Sequence, residues 1–202
     1  MKIIGITGGV GAGKSTVLDY LRERYDAYTV QADLVGHEVM GPEGSCYAPV
    51  LDLLGREVLD AQGKIDRKKV AGIVFPRPQV LARLNGIIHP AVKDDIRRRI
   101  AGQEREGRRI FVIEAAILLE DHYDEICEDL WYIYAAEAVR RQRLKDQRGY
   151  TDEKITDIFR NQQTDQVFRQ KCLYTVENNG DLQVTYQQID RRIGMEKTHG
   201  PM

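Results

Sequence analysis

The chain has 202 residues, of which 42% are hydrophobic and 30% charged, with a net charge of −1. That length supports one sizeable core with a smaller satellite lobe, and the balanced charge supplies no global field to attract nucleic acid or an anionic membrane surface. No apolar run approaches the ~20 residues of a membrane-spanning helix, no charged-then-apolar leader is visible, and Cys46, Cys127 and Cys172 form no CxxC pair, which argues against a disulfide framework or structural zinc. A soluble, cytoplasmic protein is expected, with no nucleic-acid or membrane partner. Its oligomeric state cannot be read from the residues.

Residues 2–7, KIIGIT, form a short apolar run ending in glycines and predict a buried strand. From Ser15 to Arg24 the pattern is helical, with Val17, Leu18 and Leu21 on one face. A second strand is predicted at 28–32, with Asp33 at its end. Between Leu34 and Arg109 only helical periodicity is read, in the stripes Val50/Leu51/Leu53/Leu54, Val70/Ile73/Val74 and Val80/Leu81/Leu84/Ile87/Ile88, punctuated by Gly41-Pro42, Gly63 and Pro76-Arg77-Pro78. Pro90 suits the first turn of a helix, with Val92, Ile96 and Ile100 following on one face.

Strands return at 110–114 and 130–134, and a charged helical segment runs from Ala136 to Lys171. A last strand at 173–177 turns at Asn178-Asn179-Gly180 into a C-terminal helix, and residues 194–202 read as a loose tail. Apolar strands separated by helices predict an α/β fold, a parallel sheet of about five strands covered by helices. The stretch 34–109 is too long for a simple crossover and should form a helical lobe.

Residues 8–16, GGVGAGKST, fit the phosphate-loop pattern G-x-x-x-x-G-K-[ST] at Gly8, Gly13, Lys14 and Ser15. Glycines let successive backbone N–H groups turn inward on phosphate oxygens, and the positive end of the following helix adds to that field. Lys14 supplies a cation for the β- and γ-phosphates and Ser15 a hydroxyl for Mg²⁺; Thr16 can hold an α-phosphate oxygen. A strand before the loop and an amphipathic helix after it favour ATP-dependent phosphotransfer over a chance glycine-rich turn.

Asp33, at the carboxyl end of a strand, is a candidate general base, or else a helix cap or magnesium partner. Glu114 closes the third strand and is a candidate to orient the metal, or a simple strand-end cap. Arg140, Arg143 and Arg148 crowd the segment after the fourth strand. At least one of them, with Arg143 or Arg148 preferred, is expected to neutralise charge building in the transition state. His89 could contact an acceptor or only cap a helix at Pro90.

In one order the chain carries GGVGAGKST, Ala32-Asp33, Ile65-Asp66-Arg67, Phe75, His89-Pro90, Glu114 with Leu118-Leu119-Glu120, Arg143, Arg148-Gly149, Gln162 or Gln163, and Asn178-x-Gly180. From about residue 2 to 193 this order resembles the dephospho-coenzyme A kinase family, of P-loop kinase fold. The resemblance implies transfer of phosphate from ATP, with Mg²⁺, to the ribose 3′-hydroxyl of dephospho-coenzyme A, the final step of coenzyme A synthesis. It implies a nucleotide-binding core (1–33, 110–139, 170–193), a helical acceptor-binding lobe (34–109) and a lid (about 140–165). It also implies Gly11, Ala12, Gly13, Lys14, Ser15 and Thr16 as ATP ligands, Asp33 as base, and Arg67 and His89 as acceptor contacts.

The chain departs from the family's usual pattern in several places. Gln31-Ala32-Asp33 stands where Asp-x-Asp is usual, Ala116 replaces a proline, Arg143 and Arg148 are five apart, and Cys172-Leu173 replaces Ala-Asp. One rival reading is a kinase for a nucleoside, nucleotide or shikimate-like alcohol. Another is a GTP-binding switch, since Asp33 to Gly36 fits D-x-x-G. That motif also fits Asp60 to Gly63 and Asp146 to Gly149, however, and no N-K-x-D guanine-reading motif occurs.

Overall fold

A computed structural model describes the backbone of residues 1–197 and the side chains as far as Gly194. Five strands, β1 (Lys2–Thr7), β2 (Tyr28–Gln31), β3 (Ile110–Glu114), β4 (Asp129–Tyr134) and β5 (Tyr174–Glu177), form one sheet in the order β2-β3-β1-β4-β5. The pairs β1/β3, β1/β4 and β4/β5 are parallel. β1 is central in the sheet and buried on both faces over Ile4–Thr7, which is why its sequence is mostly apolar without polar alternation. Between them run α1 (Lys14–Tyr25), α2 (Ala32–Val39), α3 (Tyr47–Leu54), α4 (Arg67–Val74), α5 (Pro78–Arg105), α6 (Glu137–Arg148), α7 (Asp152–Arg160) and α8 (Asp165–Lys171), with α9 (Leu182–Lys197) last. No described helix is long and apolar enough to cross a membrane.

The chain divides into two compact units, one of residues 1–29 with 108 onward, the other of residues 30–107. In the first, Val17, Leu18 and Leu21 of α1 and Ile189 and Ile193 of α9 bury against Ile4, Ile6, Val112, Trp131, Ile133 and Val176 of the sheet. Each such side chain contributes about 1.5–3 kcal/mol on leaving water. The hydroxyls of Tyr20 and Tyr25 both donate to Asp190 Oδ1, at 2.7 and 2.6 Å, and the Tyr20 and Tyr186 rings stack at 3.9 Å. These contacts fix α1, the helix that the phosphate loop opens, against α9. At the amino end of β4, buried Asp129 accepts hydrogen bonds from Lys2 Nζ (3.0 Å) and Arg192 Nε (3.1 Å).

Beyond the end of β2, the second unit is helical apart from an isolated antiparallel bridge between Leu59 and Ile65. Asp66 caps α4 by accepting from the backbone N–H groups of Lys68 and Lys69. Pro90 does not begin a helix. It lies inside the 28-residue α5, and Pro78 occupies the first turn instead. Leu84, Val92 and Ile96 form one buried stripe across the proline, and the close approach of Val92 to Gly36 packs that stripe on α2. The carbonyl left without its usual donor belongs to Gly86, an exposed residue, so the lost bond falls where water can replace it. The tail reading is corrected at its start, because residues 194–197 continue α9; residues 198–202 lie outside the described residues.

Candidate active site

β1 delivers the chain into the glycine-rich loop at the carboxyl end of the sheet, and α1 starts at Lys14. Gly8 passes so close to β4 that a Cβ there would lie 2.4 Å from the Ile133 carbonyl oxygen. Gly13, the residue before the helix, has φ of 86°, and a Cβ would meet Asn178 Nδ2 at 2.2 Å. A hydrogen bond from Ala12 N–H to Gly9 O at 3.1 Å closes the turn between them.

Lys14 folds back over this loop. Its Nζ donates to Gly8 O at 2.9 Å and stands 3.5 Å from Glu114 Oε1. Glu114 is placed by register, opposite Ile6 of β1 in the β3/β1 ladder, and both side chains are largely shielded from water. At that depth the attraction is stronger than on the surface. Ser15, the next residue, is exposed in the first turn of α1.

The underside of the loop is held by residues far away in sequence. Asn178, buried just after β5, donates from Nδ2 to Ala12 O at 2.8 Å, and its backbone N–H donates to Tyr134 O at 2.7 Å. The Thr185 hydroxyl donates to Asn178 Oδ1 at 3.1 Å and so fixes the amide's orientation. Arg143 Nη1 reaches Gly11 O (3.5 Å) and Ala12 O (3.4 Å), while Nη2 donates to Asn178 O at 2.9 Å. Arg140, one turn earlier on α6, donates from Nε to Val10 O at 2.9 Å. Burial pulls its guanidinium below the usual arginine value, partly countered by the nearby Tyr132 and Asp165.

The structure therefore brings Lys14, Glu114, Arg140 and Arg143 to the loop. Arg148 ends α6 roughly 140° around the helix from Arg143, exposed, with its guanidinium 6.0 Å from the Tyr150 ring centroid. In the helical unit, Asp33 is exposed in the first turn of α2, and His89 is half-buried within α5. Arg67 opens α4 at a cavity of ≈ 150 Å³, whose wall combines apolar Met40, Pro42 and Ile65 with the cationic or titratable Lys64, Arg67 and His37. Sequence reasoning read Asn178 as a turn residue and missed its part in holding the loop. Its side-chain partner lies 166 positions away, and the only local signal was the Asn178-Asn179-Gly180 turn pattern.

Among the described residues no three His, Cys, Asp or Glu side chains stand together as a metal cage. Ser15 and Glu114 are the groups at the loop that could hold Mg²⁺ brought in with nucleotide phosphates and water, because Mg²⁺ rarely uses an all-protein cage.

A phosphate-binding loop at the end of the central parallel strand, with its lysine folded over it, places the chain among the P-loop kinases. Residues 2–183 match the family model described as dephospho-CoA kinase. The chain belongs to that family. It is 33% identical over 184 residues to the dephospho-CoA kinase of Corynebacterium diphtheriae, covering 91% of this chain and 92% of that protein. Its fold is similar to that of a Thermus thermophilus protein, TT1252 (TM-score 0.77, 24% identity, 96% and 97% of the two chains). It is also similar to the fold of a dephospho-CoA kinase from Campylobacter jejuni (TM-score 0.69, 18% identity, 96% of each chain).

Proposed function

We infer that the chain transfers the γ-phosphoryl group of ATP to the ribose 3′-hydroxyl of dephospho-coenzyme A, giving coenzyme A and ADP. Membership of the family carries the choice of acceptor and of ATP, and Lys14 folded over a glycine loop supports a nucleoside triphosphate as the phosphoryl donor. Kinases acting on shikimate-like alcohols or nucleosides would use the same loop and sheet. The family match over residues 2–183 favours dephospho-coenzyme A over them and over a GTP switch.

In our reading the backbone amides of Gly11 to Thr16 hold the phosphates, with Lys14 against the β- and γ-oxygens. Asp33, following β2 at the strand's carboxyl end, accepts the proton of the attacking 3′-hydroxyl as its oxygen bonds to the γ-phosphorus. The bond to the ADP oxygen breaks, and the extra charge on the equatorial oxygens is met by Lys14 and an arginine of α6. Mg²⁺, bound with the nucleotide, neutralises phosphate charge. The cationic residues Lys64 and Arg67 at the cavity in the helical unit suit an acceptor that carries a diphosphate, and His89 is taken as a second acceptor contact. A cytoplasmic location fits this substrate pair.

A coupled assay of ADP release, run with Mg²⁺ over a panel of acceptors, tests the reading. Dephospho-coenzyme A should be preferred, with coenzyme A identified by its mass. Equal or better turnover of shikimate or a nucleoside would contradict it.

A further inference from the structure

Lys14 marks the terminal-phosphate end of the loop. The lysine of such a loop reaches the β- and γ-phosphates, and here its ammonium lies at Gly8 O, at the loop's beginning. The guanidinium of Arg140 lies against the same end, because a Cβ on Gly9 would fall 2.4 Å from its Cζ. Arg143, by contrast, spends its contacts on the carbonyls of Gly11, Ala12 and Asn178. Of the two, Arg140 is the better placed to meet a γ-phosphate.

Three groups hold Arg140 there. Val10 O accepts its Nε–H, and the ring of Phe159 in α7 lies 4.3 Å from its guanidinium carbon. The third is Gln162, in the turn between α7 and α8, whose Oε1 accepts from Arg140 Nη2 at 2.5 Å and from Val10 N–H at 3.3 Å. One carboxamide oxygen thus fixes both the arginine and the loop residue on which it rests.

We propose that Gln162 is a positioning residue that sets Arg140 across the terminal-phosphate end of the loop. A glutamine suits this task because it is neutral: it orients the guanidinium without cancelling the charge a phosphate must find. The bonds to Val10 and Gln162 use two of the five N–H groups, and the others can meet phosphate oxygens. The turn joining α7 and α8 thereby acts on the transferred group through Arg140, with no contact of its own required. This inference rests on the loop being an ATP site.

The test is a double-mutant cycle with Gln162→Ala and Arg140→Ala, read by calorimetric affinities for ATP and for ADP. Gln162→Ala should weaken ATP roughly tenfold, the scale of one lost hydrogen bond to a charged group, and leave ADP within about twofold. Adding Gln162→Ala to Arg140→Ala should change the ATP affinity by less than about twofold, because residues acting as one unit do not add. Equal weakening of ATP and ADP, or fully additive losses, would overturn the proposal. Failure of the unmodified protein to bind ATP would instead overturn the nucleotide-site reading beneath it.

Discussion

The side-chain amide of Asn178 donates to the carbonyl oxygen of Ala12 at 2.8 Å, tying the residue after the last strand to the middle of the phosphate loop. The same asparagine accepts from Thr185 and is buried, so neither end of its amide has a solvent alternative. Replacement by alanine leaves buried partners short of hydrogen bonds, which costs about 1–3 kcal/mol. Asn178→Ala should lose that much stability in urea unfolding and bind ATP several-fold more weakly. Unchanged ATP affinity would mean that the loop keeps its shape without this strut.

The acid limb of stability should depend on Asp129. Burial would push its carboxyl up, but Arg192 and Lys2 more than offset that and hold it below the ordinary value. A depressed folded-state pKa adds stability above the unfolded value near about 3.9, and this is lost as pH falls through the folded value. The stability difference between the native protein and Asp129→Asn should therefore be constant from neutrality to about pH 5 and shrink below about pH 4. We expect about 1–3 kcal/mol at neutral pH, less than for a fully buried pair, because the Lys2 and Arg192 side chains keep 21% and 27% of their exposure. Guanidinium unfolding across pH 3–8 measures it, and a difference that grows in acid would contradict the assignment.

Asp33 makes a separable prediction. As general base it should matter to transfer and little to nucleotide binding. Asp33→Asn should retain ATP affinity while turnover falls ~10²–10⁴-fold. If ATP binding with Mg²⁺ is lost as well, Asp33 serves the metal and another group takes the proton.

Much of this architecture is legible in the residues, because central strands of a parallel sheet need apolar side chains on both faces and the loop needs glycine where Gly8 and Gly13 stand. Lys14 is legible from the spacing of the phosphate-loop pattern and Glu114 from its place at a strand end, whereas Arg143 lies in a segment charged throughout, where sequence alone does not separate a role at the loop from a solvated face. Pro90 was misread because local propensity favours proline at a helix start, whereas the stripe of Leu84, Val92 and Ile96 carries α5 through it. Asn178 reaches Ala12 and Gln162 reaches Val10 across more than 150 positions, and Gln162 meets Arg140 only because the turn after α7 folds back on α6; no short window of sequence contains both ends of such contacts.

The central claim is that backbone amides and one lysine grip the phosphates that are transferred, and Lys14→Ala tests it most directly. Lys14 contributes no apolar core, and its largely shielded ammonium contacts Gly8 O and Glu114 at the loop, so the variant should fold, with an unaltered circular dichroism spectrum. Its turnover of dephospho-coenzyme A with ATP and Mg²⁺ should fall by several orders of magnitude through lost transition-state charge stabilisation. Near-normal turnover in that folded variant would contradict the account.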